Sequence, residues 1–156
     1  MYQHLDAARK MRVCINLPKN RTKSGTLRVE DHGKALLAVD CLGKADNAKA
    51  TEKRNAARHP CKSFGDTPIG SYIGKIEKFS SQHPSMGNGW ISLQPSSGQA
   101  AEAADAGRTG LGIHAGRGDE RLVPTHGCVR VYNADWDRMV DVLPNTPFVV
   151  VIEEGE

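Results

Sequence analysis

The chain has 156 residues and a formal net charge of +3, and 38% of its residues are hydrophobic. This length fits one domain that buries roughly two thirds of the surface of its unfolded chain, so no metal or disulfide is needed to hold it together. Basic and acidic residues are interleaved, which argues against nucleic acid as a partner, and no apolar run is long enough to span a membrane. Sixteen glycines and eight prolines indicate many turns between short strands, and we expect a mainly β fold.

Three strands are predicted at the start of the chain. Met11 to Leu17 alternates apolar and mostly polar side chains, which is the period of a strand with one buried face, and Pro18 ends it. Two β-prone runs, Thr26 to Glu30 and Lys34 to Cys41, flank the tripeptide Asp31-His32-Gly33. A short turn between two such runs predicts a β-hairpin.

The middle of the chain begins with a polar stretch from Gly43 to Lys62 that lacks an apolar face. We expect an exposed loop or a frayed helix here, with its lysines and arginines solvated. Ile69 to Phe79 and Trp90 to Leu93 are predicted strands, and the alanine-rich run from Gln99 to Asp105 predicts a short helix.

The last third combines short strands with one amphipathic helix. Leu111 to Ile113 predicts a short strand, and Asn133 is the expected N-cap of the helix that follows. The apolar residues of that helix recur at i, i+3, i+4 and i+7: Trp136, Met139, Val140 and Leu143. Pro144 ends the helix, and Phe148 to Ile152 predicts a buried closing strand.

Four cysteines leave the redox state open. If Cys128 is a free catalytic thiol, the other three allow at most one disulfide, for which Cys41 with Cys61 is the preferred pair. Cys14 lies in the alternating pattern of the first strand, where a small buried thiol packs well. The alternative is three structural thiols.

A nucleophile motif lies near the C-terminal end, in Pro124-Thr125-His126-Gly127-Cys128-Val129-Arg130. Gly112-Ile113-His114-Ala115-Gly116 precedes it. A thiol becomes nucleophilic when a nearby imidazole takes its proton. Gly127 leaves room for a substrate carbonyl, and the backbone N–H groups of Gly127 and Cys128 are expected to point at the developing oxyanion. The motif therefore predicts an acyl-transfer site.

The segment from Ile113 to Val151 resembles the catalytic domain of bacterial L,D-transpeptidases, the cysteine enzymes that crosslink peptidoglycan stem peptides. The motif of that family is a histidine, a variable loop, and Ser/Thr-His-Gly-Cys followed by an aliphatic residue and Arg or Asn. The resemblance implies that Cys128 is the nucleophile and His114 the general base. The residues that shape the motif are then Thr125, His126 and Gly127.

The same resemblance implies two further roles. Arg130 becomes a candidate for holding a carboxylate of the substrate, and the backbone carbonyl of Ala115 is expected to orient His114. Asp119 or Glu120 is the alternative orienting group, although acids in such a loop are expected to be solvated.

Upstream, the run from Gly65 to Tyr72 (GDTPIGSY) is similar to a Thr-Pro-x-Gly-x-Tyr strand entry of that family. We therefore expect residues 1–10 to be an N-terminal extension and residues 11–156 to form an L,D-transpeptidase-like catalytic domain. The fold expected for this domain is a mixed β-sandwich of short strands with one or two short helices.

The resemblance also implies a substrate, a peptidoglycan tetrapeptide stem. Cys128 is expected to attack the L,D bond between diaminopimelate and D-alanine, and an amine of a neighbouring stem then resolves the thioester. Water in place of the amine would make the protein an L,D-carboxypeptidase. We expect a monomer that needs no cofactor.

Two other interpretations stay open. A small protein with this site, but with neither a signal-peptide core nor a wall anchor in its sequence, would suit a secreted antibacterial effector that trims or exchanges stem peptides. The other is a non-enzymatic wall-binding or zinc-stabilised module with His114, His126 and Cys128 as ligands, for which the sequence offers no fourth ligand. With peptidoglycan as the partner, the expected location is the periplasm or the cell wall.

Overall fold

The computed structural model describes residues 10–117 and 121–155, and within these residues the chain forms eight strands and three short helices. The strands are β1 (Met11–Pro18), β2 (Gly25–Asp31), β3 (Lys34–Cys41), β4 (Gly70–His83), β5 (Gly87–Ser97), β6 (Gly112–His114), β7 (Val129–Arg130) and β8 (Phe148–Gly155). The helices are α1 (Asn47–Glu52), α2 (Gln99–Asp105) and α3 (Asn133–Val142).

The eight strands form one sheet in the order β3-β2-β1-β8-β4-β5-β6-β7. At its centre β8 runs parallel to β1 and antiparallel to β4, so the end of the chain joins the first hairpin to the rest of the sheet. The two edges meet, because Leu42, which follows β3, and Arg130 of β7 exchange backbone hydrogen bonds of 3.0 and 2.9 Å. The predicted sandwich is thus one curled sheet, and the mainly β class is confirmed.

The first hairpin is confirmed at the predicted turn. Asp31 of β2 pairs with Lys34 of β3, and the two residues between them, His32 and Gly33, have φ angles of 53° and 82°. Two consecutive residues with positive φ give a turn whose twist matches that of the flanking strands.

The core is built from alternate residues of the central strands, as the period-two pattern predicts. Its fully or almost fully buried members include Val13, Ile15, Leu17, Leu27, Val29, Phe148, Val150 and Ile152. From α3, Trp136 and Met139 pack against this core. The amphipathic helix and its apolar face are therefore confirmed.

The expected N-cap of α3 is wrong. Tyr132 is the N-cap, and Asn133 is the first residue of the helix. The side-chain oxygen of Asn133 accepts a hydrogen bond of 2.8 Å from the backbone N–H of Gly116, two residues beyond β6. This side chain therefore ties α3 to the loop that follows β6.

The polar segment from Gly43 to Lys62 is not a solvated loop throughout. α1 lies within it, and the side chain of Asp46 caps α1 by accepting a 2.9 Å hydrogen bond from the N–H of Lys49. Lys44 is buried, and Ala45 pairs with Thr125 of the nucleophile motif. The expected exposed helix or loop is found for most of the segment from Asn47 onward, and the expectation is wrong for residues 43–45, which are buried against the motif.

All four cysteines are free thiols, so the considered Cys41–Cys61 disulfide is not formed. Cys41 is buried at the end of β3, and its burial raises the pKa of the thiol to about 12. It is a structural thiol.

Residues 1–9, which make up most of the predicted N-terminal extension, lie outside the described residues. Among the helices of the described part, none is long and apolar enough to cross a membrane.

Candidate active site

Two short paired strands carry or adjoin the predicted base and nucleophile. β6 and β7 are parallel, with Ile113 opposite Val129 and His114 opposite Arg130. Successive side chains of a strand point to opposite faces, so the fully buried Ile113 and Val129 face the core. By the same alternation His114 lies on the other face, and His114 and Cys128, the residue before β7, both line one cavity.

A cavity of about 860 Å³ opens over this face of the sheet. Phe79, Met86 and Trp90, from β4, β5 and their connection, line one part of it, and Asp46 and His126 line another. The remaining lining residues include His114, Cys128, Thr125, Pro124, Gly110 and Arg130. Its volume is in the range of sites that enclose small ligands or part of a peptide.

His114 is 4% exposed, and its ring is held by the backbone of the next residue. Nδ1 lies 2.8 Å from the carbonyl oxygen of Ala115, which is the contact that the sequence suggested. A carbonyl only accepts hydrogen bonds, so Nδ1 carries the hydrogen and Nε2 is the proton acceptor. Burial lowers the pKa of His114 to about 4, against the opposing effect of that hydrogen bond, and the imidazole is therefore neutral at pH 7.

The thiol of Cys128 is half-buried, and its Sγ donates to the carbonyl oxygen of Gly110 at 3.6 Å. Burial raises the pKa of this thiol, although a hydrogen bond from the backbone N–H of Gly112 and the charges of Arg108 and Arg130 act in the opposite direction. At pH 7 Cys128 is therefore a neutral thiol and His114 a neutral imidazole.

Thr125 shapes the turn that presents the nucleophile. Its Oγ1 donates to the carbonyl of Cys128 at 2.8 Å and accepts from the N–H of Gly127 at 2.9 Å, while Thr67 donates to the carbonyl of Gly127 at 2.6 Å. In this structure the N–H of Gly127 is thus committed to Thr125 and not to an oxyanion. The β6–β7 pairing begins at Val129, so the N–H of Cys128 lies outside it.

The glycine in the motif is required by its surroundings. Gly127 has a φ of 123°, which other residues rarely adopt. A Cβ at this position would overlap the guanidinium of Arg108 and the carbonyl oxygen of Gly65. Only glycine lets the backbone lie this close to Arg108.

His126 is exposed and lies on the rim of the cavity. Its ring is in tilted contact with that of Phe64, with the centroids 5.2 Å apart. The ammonium groups of Lys49 and Lys53 lie 5.9 and 5.5 Å from the centre of the same Phe64 ring. Phe64 therefore contacts both His126 and the lysines at the end of α1.

Arg130, the candidate for holding a substrate carboxylate, is surrounded by backbone carbonyls at the edge of the cavity. It is 4% exposed, and its guanidinium donates to backbone carbonyls of four residues. These are Val123 at 2.8 Å, Ser85 at 3.0 Å, Ala115 at 2.7 Å and Gly116 at 2.9 Å. Arg130 therefore joins the loops around the cavity, and Ala115, one of its acceptors, also orients His114.

The two alternative acids, Asp119 and Glu120, lie outside the described residues. Within the described part of the chain, no three His, Cys, Asp or Glu side chains are grouped so that they could hold a metal ion. His114, His126 and Cys128 therefore do not form a group of zinc ligands in the described part of the chain.

Sequence reasoning missed three polar residues at the site. Thr67 lay in the Thr-Pro motif, which marked a strand entry and gave no sign of its bond to Gly127. Asp46 lay in the segment interpreted as solvated, and the isolated arginine Arg108 carried no motif. Their placement depends on contacts between segments that are distant in sequence.

These features were compared with those of known proteins. The profile of the YkuD family, described as the L,D-transpeptidase catalytic domain, matches residues 2–152. The chain belongs to this L,D-transpeptidase family. A search of curated proteins finds no significant match.

Solved structures share the fold. Bd1075 from Bdellovibrio bacteriovorus matches with a TM-score of 0.62 and 12% identity, covering 94% of this chain and 49% of that chain. Pgp2 from Campylobacter jejuni, a helical cell shape determining protein, matches with a TM-score of 0.55 and 16% identity. The match covers 96% of this chain and 52% of Pgp2. An L,D-transpeptidase from Xylanimonas cellulosilytica matches with a TM-score of 0.54 and 17% identity. The match covers 93% of this chain and 61% of that chain. This L,D-transpeptidase domain thus spans about half the length of several solved chains it matches, and at these identities the likeness shows the fold alone.

Replacing Arg130 should destabilise the domain. Arg130→Ala leaves four backbone carbonyls without this donor, and we expect the free energy of unfolding to fall by about 3 kcal/mol or more. Arg138→Ala is the control, because Arg138 is 59% exposed and pairs with Asp135 of its own helix; it should change stability by less than about 0.5 kcal/mol. Urea denaturation of both variants provides the measurement. Equal stability of the two would show that Arg130 does not join the loops.

The protonation states predict how Cys128 reacts with a small electrophile. Because burial raises the pKa of this thiol and lowers that of His114, the thiolate should become populated only as the pH rises towards and beyond the ordinary thiol pKa. The rate of iodoacetamide alkylation at Cys128, followed by peptide mass spectrometry, should therefore climb through the whole neutral range. A rate plateau between about pH 5 and about pH 8 that His114→Ala removes would instead show a resting thiolate–imidazolium pair.

Proposed function

We propose that this L,D-transpeptidase domain transfers the acyl group of a peptidoglycan tetrapeptide stem through a thioester on Cys128. The observation that supports the proposal is that His114 and Cys128 line the same open cavity, with the ring of His114 held by the carbonyl of Ala115. Membership of the family supplies the substrate class. We take residues 11–156 as the catalytic domain and the periplasm or cell wall as its place of action.

In the first half-reaction the thiol attacks the carbonyl of the bond between diaminopimelate and D-alanine. Nε2 of His114 takes the proton from Sγ as the C–S bond forms, and the carbonyl oxygen becomes an oxyanion that the N–H of Cys128 faces. The C–N bond then breaks, and His114 returns the proton to the amine of the leaving D-alanine. The products are a thioester on Cys128 and free D-alanine.

The neutral thiol of Cys128 and the neutral imidazole of His114 are suited to proton transfer during the attack on the carbonyl. A neutral imidazole is free to accept a proton, and a thiol with a raised pKa gives up its proton only as it bonds to the carbonyl. The enzyme is then protected from unproductive reactions of a permanent thiolate. The cation at Arg130, which is close enough to disfavour a charged His114, helps to return the proton to the leaving group.

In the second half-reaction an amine of a neighbouring stem attacks the thioester and His114 accepts its proton, which regenerates the thiol after transfer. The carboxylate of Asp46 lines the cavity on the side of His126 and offers a counter-charge for an incoming ammonium group. Water at the same position would release a tripeptide. We therefore propose that Asp46 favours transpeptidation over hydrolysis.

Disaccharide-tetrapeptide muropeptides analysed by mass spectrometry test this function. The wild-type protein should release D-alanine and form crosslinked dimers, whereas Cys128→Ala and His114→Ala should form neither product. Asp46→Asn keeps an equally good N-cap for α1, so the fold should persist while the ratio of tripeptide to dimer rises. Asp141→Asn, an exposed site on α3, is the matched control and should leave that ratio unchanged.

The outcomes separate the possible activities. Tripeptide without dimer would identify a carboxypeptidase, and unchanged muropeptides with a folded wild-type protein would contradict the proposal. An unchanged product ratio in Asp46→Asn would remove Asp46 from the acceptor side while leaving the rest of the mechanism in place.

A further inference from the structure

Arg108 is a buried cation that the mechanism above does not use. It follows α2, its side chain is 4% exposed, and its guanidinium donates to the backbone carbonyls of three residues. These are Pro60, Gly65 at 2.6 Å and Asp66 at 3.0 Å. Three such bonds fix the guanidinium in one place.

That place is directly beneath the nucleophile turn. The terminal nitrogen of Arg108 lies where a side chain on Gly127 would begin, next to Cys128 in sequence. Two residues after Arg108, the carbonyl of Gly110 accepts the hydrogen bond from Sγ of Cys128. The stretch between α2 and β6 thus contacts the nucleophile and the residue before it.

The hydrogen-bond acceptors of Arg108 are neutral carbonyls, so they do not balance its charge. The nearest carboxylate is that of Asp66, which accepts hydrogen bonds from Arg58 at 3.1 Å and from the N–H of Ala45 at 2.8 Å. A buried cation is costly without an anion. Asp66 is shared with Arg58, so a further negative charge near Arg108 would be stabilised.

Three other titratable groups face Arg108: Tyr72, Cys61 and Cys128. The hydroxyl of Tyr72 donates to the carbonyl of Pro68, and burial raises its pKa, so it is uncharged at pH 7. The thiol of Cys128 is the one among them that must lose its proton during the proposed reaction.

Arg108 and Arg130 differ in their effect on the pKa of His114. The charges that act on His114 are those of Arg130 and His83, and both lower the pKa of the imidazole. Arg108 and Arg130 both act on Cys128. Arg108 therefore stabilises the thiolate without opposing the proton that His114 receives.

We propose that Arg108 is a positioning residue for the nucleophile, whose buried guanidinium holds the Gly127–Cys128 turn and supplies a fixed positive charge for the thiolate. Its catalytic use rests on the function proposed above. In that step the S–H bond of Cys128 breaks, Nε2 of His114 gains the proton, and the sulfur carries the negative charge that Arg108 faces.

The test compares Arg108→Gln, Arg108→Lys and Arg21→Gln in the free protein. Arg21 is the matched control, because it is also 4% exposed and bonded to a backbone carbonyl, but it pairs with Glu154 and is not among the residues lining the cavity. Iodoacetamide alkylation of Cys128 near pH 7.5 should be about three- to tenfold slower in Arg108→Gln, since less thiolate is present. Arg108→Lys should retain most of the rate. Arg21→Gln should lower the melting temperature without changing the rate.

An alkylation rate in Arg108→Gln equal to that of the wild type, together with a lower melting temperature, would reduce Arg108 to a structural residue. If Arg108→Gln does not fold, the salt dependence of Cys128 alkylation in the wild-type protein is the test. Salt screens a buried charge little, so raising its concentration from about 0.05 M to about 1 M should change the alkylation rate less than about twofold. A severalfold fall in the alkylation rate would show that exposed lysines stabilise the thiolate, and it would overturn the proposal. Neither readout uses peptidoglycan, so failure of the proposed function would leave this result standing.

Discussion

The parallel pairing of β6 with β7 is the contact on which the site depends. It is only two residue pairs long, yet it sets His114 opposite Arg130, next to the buried pair Ile113 and Val129, and Cys128 directly precedes its second strand. So short a pairing needs support from elsewhere. The backbone bonds between Leu42 and Arg130 close the curled sheet at this point, and the guanidinium of Arg130 ties the surrounding loops to the same strand.

The electrostatics of the site follow from burial more than from any single charge. Burial keeps both the thiol and the imidazole neutral, so the energy of separating their charges must be recovered when substrate fills the cavity. Two buried arginines bear on that step, and their positions make them unequal. Arg130 lies close to the base as well as the thiol, whereas Arg108 lies beneath the turn that carries the thiol. Both arginines favour the thiolate, and in our proposal Arg108 does so from beneath the turn while Arg130 also acts on the base.

Much of the fold can be predicted from local sequence patterns. The alternation in Met11 to Leu17, the tripeptide at the first turn and the apolar face of α3 each depend on neighbours within a few residues, and each is confirmed. The same local reasoning did not show the four carbonyl partners of Arg130, which come from three separate segments. It also did not show that the residues just before Asp46 pack against the motif, because that contact is between distant segments. Motif spacing identifies reacting atoms, but it does not show which polar groups are buried around them.

The central claim is that Cys128 carries the acyl group, and the intact mass of the protein tests it most directly. Wild-type protein mixed with a tetrapeptide stem and quenched in acid should gain the mass of the stem less D-alanine, located at Cys128 by peptide mapping, while Cys128→Ala should gain nothing. Release of D-alanine by Cys128→Ala, or an adduct on another residue, would contradict the account.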